Sequence, residues 1–99
     1  MAVALQVNPK DNVATVFENG VTKGQTVEVR DKTGNSAPMN VLSDIPYGHK
    51  LALRDIHVGE SIVKYGEQIG VASREIQRGE HVHVQNLEST RGRGDRERV

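Results

Sequence analysis

The chain has 99 residues, enough for one compact domain, and its 13 basic residues balance its 13 acidic residues, so a nucleic-acid partner is not expected. It contains no cysteine, which excludes disulfides and thiolate metal sites. Only 35% of the residues are hydrophobic and 3% are aromatic, which leaves little room for a deep apolar pocket and argues against a complete stand-alone enzyme.

The sequence carries no sign of export or membrane insertion. The N-terminal region lacks a basic stretch followed by an apolar run, so no signal peptide is predicted. No apolar stretch approaches the length needed to cross a membrane. We therefore expect a cytoplasmic protein without a membrane partner, and we leave homo-oligomer formation open.

Five short segments with alternating or clustered valine and isoleucine residues predict β-strands. In chain order they are NVATVF (12–17), TVEVR (26–30), KLALR (50–54), SIVKY (61–65) and HVHV (81–84). Ten glycines and three prolines punctuate the chain, which is typical of a turn-rich β domain, and KTGNSAP (32–38) is predicted to be the longest loop. The sequence therefore predicts an all-β fold with little or no helix.

One pattern recurs four times: an apolar residue, two variable residues, glycine, two more residues and a second apolar residue. The copies are Val21–Gly24–Val27, Ile45–Gly48–Leu51, Ile56–Gly59–Ile62 and Ile76–Gly79–Val82. The glycine suits a positive-φ turn position, and in three copies a preceding acid can accept hydrogen bonds from turn amides. We expect the apolar residues of all four copies to pack in one core. The irregular spacing between copies argues against a solenoid.

The last segment of the chain differs in composition from the rest. Residues 89–99 contain six charged residues and two glycines, too few apolar groups to offset the entropy of ordering. We therefore divide the chain into a domain, residues 1–88, and a flexible tail or partner-docking segment, residues 89–99.

Two histidines on one predicted strand are the most informative polar residues. His81 and His83 lie two residues apart, so they project from the same face, while Val82 and Val84 are expected to face the core. Alternate histidines can bind one metal ion. Spacing alone favours a simpler interpretation, two solvent-facing residues on an edge strand, because no third ligand is evident nearby in sequence.

The remaining candidates are less specific. His49 follows a turn glycine and enters a strand beside Lys50, whereas His57 lies inside a turn and is expected to be a surface residue. Lys50, Arg54 and Lys64 could face an anionic substrate, although a solvated sheet face is the simpler interpretation.

Several motifs in order resemble one known family. They are GHK-ALRDI (48–56), KYGE-IG (64–70), GEHVHV-N (79–86) and the closing RGRGD (91–95), and NPKDNVATV (8–16) fits the family's opening strand. The family is the N-terminal domain of the altronate and galactarate dehydratases, a SAF-type domain with a β-clip fold. The chain also resembles the small alpha subunit of sulfolactate sulfo-lyase. We therefore expect it to be a complete small subunit.

The resemblance implies a function beyond what the residues establish. Family members are lyases that remove water from sugar acids, and many need a divalent metal, typically iron. It implies catalytic roles for His49, His81 and His83, tentative metal ligation by the last two, and substrate binding by Lys50, Lys64 and Asn86. The family often has a third histidine after the HVH pair, where this chain has Gln85, and that difference puts a multi-histidine ligand set in doubt.

The sequence thus predicts the small subunit of a sugar-acid dehydratase-type lyase, inactive alone, that helps bind an anionic hydroxy acid for β-elimination by a separate large subunit. Iron is expected in the assembled enzyme, with no metal assured on this chain. Two alternatives stay open. One is a non-enzymatic SAF module that binds carbohydrate or assembles a complex, and the other is the alpha subunit of a sulfolactate sulfo-lyase-like enzyme.

Overall fold

Short β-branched segments separated by glycine turns form nine strands in the part of the chain that the structure describes. The computed structural model describes residues 1–89, and no helix occurs in that range, so the predicted all-β class is confirmed. None of the described residues forms a helix of the length and apolarity that would cross a membrane. The strands are β1 (Val3–Gln6), β2 (Val13–Val16), β3 (Thr26–Asp31), β4 (Ser36–Asn40), β5 (Lys50–Ala52), β6 (Ser61–Lys64), β7 (Glu67–Ala72), β8 (His81–Val82) and β9 (Leu87–Ser89).

All five predicted strands are present, but four further strands were not predicted. These are β1, β4, β7 and β9. The predicted loop at 32–38 is wrong in its second half, because Ser36–Asn40 forms β4 and pairs antiparallel with β3. Ser89, placed at the start of the predicted tail, is the last residue of β9, and the rest of that tail lies outside the described residues.

The strands form two sheets. The larger sheet has the order β4-β3-β1-β2-β5-β8, with β1 and β3 parallel and the other neighbours antiparallel, and the smaller sheet has the order β6-β7-β9. Asn12 joins the sheets at β6: its side-chain amide donates to the Ser61 carbonyl at 2.9 Å and accepts from the Val63 amide at 2.8 Å. These hydrogen bonds fix the smaller sheet against the start of β2.

The apolar residues of the four repeated patterns are all buried, as predicted, but they occupy two clusters rather than one. The first two copies pack in a cluster with Ala4, Ala14, Val16, Met39 and Val41, and the last two pack in a cluster with Val13, Ala52 and Ala72. Successive side chains of β2 and of β5 point to opposite faces of the sheet, so each strand contributes to both clusters. The expectation of a single core is therefore wrong.

The four patterns form the same turn. In each, the residue after the glycine donates its amide to the carbonyl two residues before the glycine, at 2.9–3.1 Å, and the glycine φ lies between 82° and 94°. This is a type II turn, which requires a positive φ at the third position. Antiparallel bridges between Val21 and Ile45, and between Ile56 and Ile76, assemble the four turns into two pairs.

The predicted acids connect the turns within each pair. Asp44 accepts from the Lys23 amide at 2.9 Å, Asp55 from the Arg78 amide at 2.8 Å and Glu75 from the Val58 amide at 2.9 Å. Each acid therefore caps the partner turn rather than its own. The repeated pattern is a structural device that builds the fold in two similar halves.

Candidate functional site

The turn at residues 45–51 lacks a side-chain hydrogen bond that caps the turn in the other three copies of the pattern. In those copies, the side chain after the glycine accepts a hydrogen bond from the backbone N–H two residues before the glycine; the acceptors are Gln25, Glu60 and Glu80. Pro46 occupies the donor position in the fourth copy and has no N–H. The side chain that follows Gly48 is therefore not needed as a cap, and it is His49.

Strand pairing brings His49 to the two histidines of β8. β5 pairs with β8 through Lys50 opposite Val82 and Leu51 opposite His81, and continuing this register places His49 opposite His83. The rings of His49 and His83 stack with centroids 4.0 Å apart and planes inclined by 17°. The His81 ring lies 5.1 Å from that of His49 and 5.7 Å from that of His83. We call these three residues the histidine cluster.

The nitrogens of the histidine cluster are arranged as a candidate metal site. One ring nitrogen from each residue lies within 4.8 Å of the other two, and His49 Nδ1 is 2.9 Å from His81 Nε2. His83 Nδ1 is buried and has no hydrogen-bond partner among the described residues. Imidazole nitrogens suit iron, zinc, copper and nickel. The donor set and the unpartnered nitrogen therefore fit a divalent transition metal.

The surroundings of His81 and His83 favour their neutral form by lowering the pKa of each imidazole. Burial lowers the pKa of His81, and the charges of His49, His83 and Lys50 lower it further. Burial likewise lowers the pKa of His83, with His49 and Lys50 adding to the effect. Only one of the two facing nitrogens of His49 and His81 can carry a hydrogen at 2.9 Å, so at least one of these rings is neutral. Neutral imidazole is the form that binds a metal or accepts a proton.

Two lysines add positive charge beside the histidine cluster. Lys50 is partly buried, and burial together with the charge of Lys64 lowers its pKa. Lys50 in turn contributes to the lowered pKa values of His81 and His83, so its ammonium lies within electrostatic range of both. Lys50 thus lies within electrostatic range of the cluster, and Lys64 within electrostatic range of Lys50.

Asn86, which the sequence predicts to bind substrate, supports the cluster from beneath. It is 1% exposed, its Nδ2 donates to the His81 carbonyl at 2.8 Å, and its Oδ1 accepts from the His83 amide at 3.0 Å. Its own amide donates to the His83 carbonyl at 3.0 Å. Because both polar atoms of the side chain bind the backbone, Asn86 positions the histidines, and its role in substrate binding stays a prediction.

Gln85 also contacts the cluster, although the sequence suggested only a missing histidine there. Its Nε2 lies 3.3 Å from His81 Nδ1 and donates to the His81 carbonyl at 3.2 Å. In this arrangement His81 Nδ1 is the acceptor, which leaves the Nε2 hydrogen to face His49. The candidate third ligand that sequence spacing could not supply is His49, which lies 32 residues before His81. The signal that identifies it is Pro46, which breaks the capping pattern of the other turns.

The remaining predicted residues lie apart from the cluster. Arg54 pairs with Glu60 at 3.4 Å and donates to the Asp55 carbonyl, so it does not join the two lysines. His57 is exposed and pairs with Glu75 at 2.7 Å, as expected of a surface residue. Val84 is 79% exposed rather than buried, because the strand ends at Val82 and the chain turns through residues 83–86.

Comparison with known proteins agrees with this architecture. The family model of the altronate/galactarate dehydratase SAF domain matches residues 2–90. The chain is 40% identical over 83 residues to the (2R)-sulfolactate sulfo-lyase subunit alpha of Chromohalobacter salexigens, covering 82% of this chain and 87% of that protein.

Longer relatives contain the same region as a small part of their length. The altronate dehydratase of Bacillus subtilis is 36% identical over 85 residues, which cover 86% of this chain and 16% of that enzyme. The galactarate dehydratase (L-threo-forming) of Escherichia coli is 38% identical over 81 residues, which cover 79% of this chain and 14% of that enzyme. These relatives are lyases, and the chain belongs to the altronate/galactarate dehydratase SAF-domain family.

Proposed function

We propose that this chain is the small subunit of a dehydratase-type lyase that acts on an anionic hydroxy acid, with the histidine cluster at its active site. The observation that carries the proposal is the convergence of His49, His81 and His83, which the fold brings together from two distant turns. A structural role alone gives no reason for three stacked imidazoles, one of which has a buried nitrogen without a partner.

The proposed roles follow from the chemistry of elimination. The reaction removes a proton α to a carboxylate and needs assistance to the leaving hydroxyl. His49, His81 and His83 would hold a divalent ion such as iron, and a bound ion would supply Lewis acidity. A neutral imidazole of the cluster that is not occupied as a ligand can accept a proton. Lys50 and Lys64 would bind the substrate carboxylate as cations.

The proposed partner is a separate large chain. One relative, of which this chain covers 87%, is named as subunit alpha, which denotes an enzyme with more than one subunit. In the dehydratases, by contrast, the matching region makes up 14–16% of one polypeptide. A rate enhancement typical of enzymes requires several positioned groups. The large chain would supply the groups that the histidine cluster and the two lysines lack.

A second candidate reaction is elimination of sulfite from a sulfonated hydroxy acid. The observation that favours it is the 87% coverage of the sulfo-lyase subunit at 40% identity. A sulfonate and a hydroxyl leave from comparable positions relative to the carboxylate, so the same lysines would serve either substrate. A substrate screen with the assembled enzyme separates the two.

Anaerobic titration of the chain with Fe(II), monitored by isothermal calorimetry, tests the metal role directly. We expect one ion per chain for the wild type and, for His83→Gln, affinity lowered by at least about tenfold. The matched control is His57→Gln, because His57 is an exposed histidine outside the cluster. Equal losses in both variants, or no Fe(II) binding by the wild type, would contradict the proposed metal site.

A further inference from the structure

Gln85 engages the ring nitrogen of His81 that does not face His49. Its Nε2 lies 3.3 Å from His81 Nδ1 and donates to the His81 carbonyl at 3.2 Å. That carbonyl also accepts from Asn86 Nδ2 at 2.8 Å, so both of its lone pairs are engaged. A carbonyl oxygen can only accept, and this fixes the orientation of the Gln85 amide, with its nitrogen toward both acceptors of His81.

The orientation of this amide determines which nitrogen of His81 carries hydrogen. A ring nitrogen that accepts a hydrogen bond has no hydrogen of its own, so the single hydrogen of neutral His81 lies on Nε2. His81 Nε2 is 2.9 Å from His49 Nδ1 and donates to it. In the metal-free chain, two hydrogen bonds therefore run in series, from Gln85 to His81 and from His81 to His49.

Ion binding by the cluster requires the opposite placement of this hydrogen. The nitrogen of His81 that faces His49 is Nε2, and a nitrogen that binds an ion must first lose its hydrogen. The hydrogen of neutral His81 then lies on Nδ1, where ligating histidines usually donate to a carboxylate, a carbonyl or water. Gln85 instead presents a second donor to Nδ1. Reversing its amide would place Oε1 beside the His81 carbonyl oxygen, and two acceptors repel each other.

We infer that Gln85 is a positioning residue that limits the metal affinity of the histidine cluster, because it holds His81 in the tautomer that cannot bind an ion through Nε2. The inference rests on the proposed function, which places a divalent ion on the cluster. Gln85 is exposed on the loop at residues 83–86, so its side chain has room to leave the ring when an ion binds. Each binding event must break this contact, and the net affinity is lowered by the free energy of the contact.

Two substitutions at residue 85 test the inference by anaerobic titration with Fe(II). Gln85→Ala removes the opposing donor, and we expect the dissociation constant for Fe(II) to fall at least about twofold. Gln85→Glu supplies a carboxylate that accepts the Nδ1 hydrogen, and we expect the dissociation constant to fall at least about tenfold. Val84→Glu is the matched control, because it adds the same charge at the neighbouring position, where the side chain is 79% exposed.

The tautomer of His81 is measured separately, on the metal-free chain, by nitrogen NMR of the labelled imidazole rings. We expect the hydrogen of His81 on Nε2 in the wild type and in Val84→Glu, and on Nδ1 in Gln85→Glu, where the carboxylate can only accept. A residue that merely supports the fold would not move this hydrogen, so the measurement distinguishes control of the tautomer from a structural role.

Three results would overturn the inference alone: Fe(II) binding by Gln85→Ala no tighter than that of the wild type, an equal gain in Val84→Glu and Gln85→Glu, or a hydrogen on Nδ1 of His81 in the metal-free wild type. Absence of Fe(II) binding by the wild type and by Gln85→Glu alike would overturn the metal site of the proposed function, and the inference with it. The two failures are therefore distinguishable.

Discussion

His49 is available to the cluster because Pro46 removes the hydrogen bond that would otherwise engage position 49. In the other three turns this position holds a glutamine or glutamate that caps a backbone N–H. The comparison among copies within one chain distinguishes the turn with Pro46, which supplies His49 to the proposed site. A pattern of apolar and glycine residues alone does not, because all four turns share it.

The double variant Pro46→Ala/His49→Glu tests this interpretation by restoring the cap. One regained hydrogen bond contributes about 0.5–1.5 kcal/mol, and replacing proline costs about 0.4–1 kcal/mol through the entropy of the unfolded chain. We expect the free energy of unfolding, measured with urea, to change by less than about 1 kcal/mol, while Fe(II) binding is lost. A destabilisation above about 2 kcal/mol would instead give His49 a structural role.

Acidification should destabilise the chain through His81 and His83. Their pKa values in the folded state are lowered by burial and neighbouring positive charge. In the unfolded chain, the histidine pKa is about 6.5. The unfolded state therefore binds more protons below this pH, so the stabilisation is present above about 6.5 and is lost as pH falls through the folded-state values. Pairing with Glu75 raises the pKa of the exposed His57, so the contribution of His57 to stability changes with pH in the opposite direction.

Thermal unfolding at pH 7.5 and pH 5.0, in the presence of a chelator, measures this effect. We expect acidification to lower the thermal midpoint of the wild type more than that of His81→Gln/His83→Gln. The double variant retains His57, so the difference between the two proteins reports on the cluster alone. An equal decrease in both proteins would contradict the assignment.

The loop at residues 83–86 shows what sequence patterns could and could not predict about single elements. The alternation in HVHV predicts a strand with two histidines on one face, and β8 forms there. It does not predict that the strand stops at Val82, because the hydrogen bonds of the Asn86 side chain favour a turn instead. β4 was missed for a related reason: it contains Pro38, which strands tolerate only at sheet edges, and β4 is an edge strand.

Asn86→Ala should both reduce the stability of the chain and disturb the geometry of the histidine cluster. The substitution removes the side-chain partner of the part-buried His83 amide and one of the two side-chain donors to the His81 carbonyl, at a cost of about 1–3 kcal/mol. Urea denaturation checks the cost, and the histidine NMR signals check the geometry. Gln85→Ala is the control for stability, since Gln85 is exposed and should cost less than about 0.5 kcal/mol. Retention of wild-type stability by Asn86→Ala would contradict its positioning role.

Across the whole molecule, the sequence predicted that the apolar residues of the repeated patterns are buried, but not how they are divided between two clusters. All eight apolar residues of the repeated patterns are buried, as glycine turns between apolar residues predict. Their separation into two clusters depends on β2 and β5 lying between them, and that pairing joins residues far apart in sequence. Likewise, the β8 histidines were recognisable from local spacing, whereas their meeting with His49 required the β5–β8 register.

The link between the two sheets provides a test at this scale. Asn12 is 4% exposed and binds both Ser61 and Val63 on β6. Asn12→Ala should therefore lower the free energy of unfolding by about 1–3 kcal/mol, whereas the exposed neighbour substitution Lys10→Ala should change it by less than about 0.5 kcal/mol. Equal effects of the two substitutions on urea denaturation would contradict the linking role.

The central claim is that this chain contributes the histidine cluster to an active site completed by a separate chain. Its most direct test is turnover of altronate, galactarate and sulfolactate by the purified chain, by a candidate large chain of the same family, and by the two combined, each supplied with Fe(II). We predict turnover only for the combination, and a loss of at least about 100-fold when it contains His83→Ala, a variant that should remain folded. Robust turnover by the purified chain alone, or full activity with His83→Ala, would contradict the account.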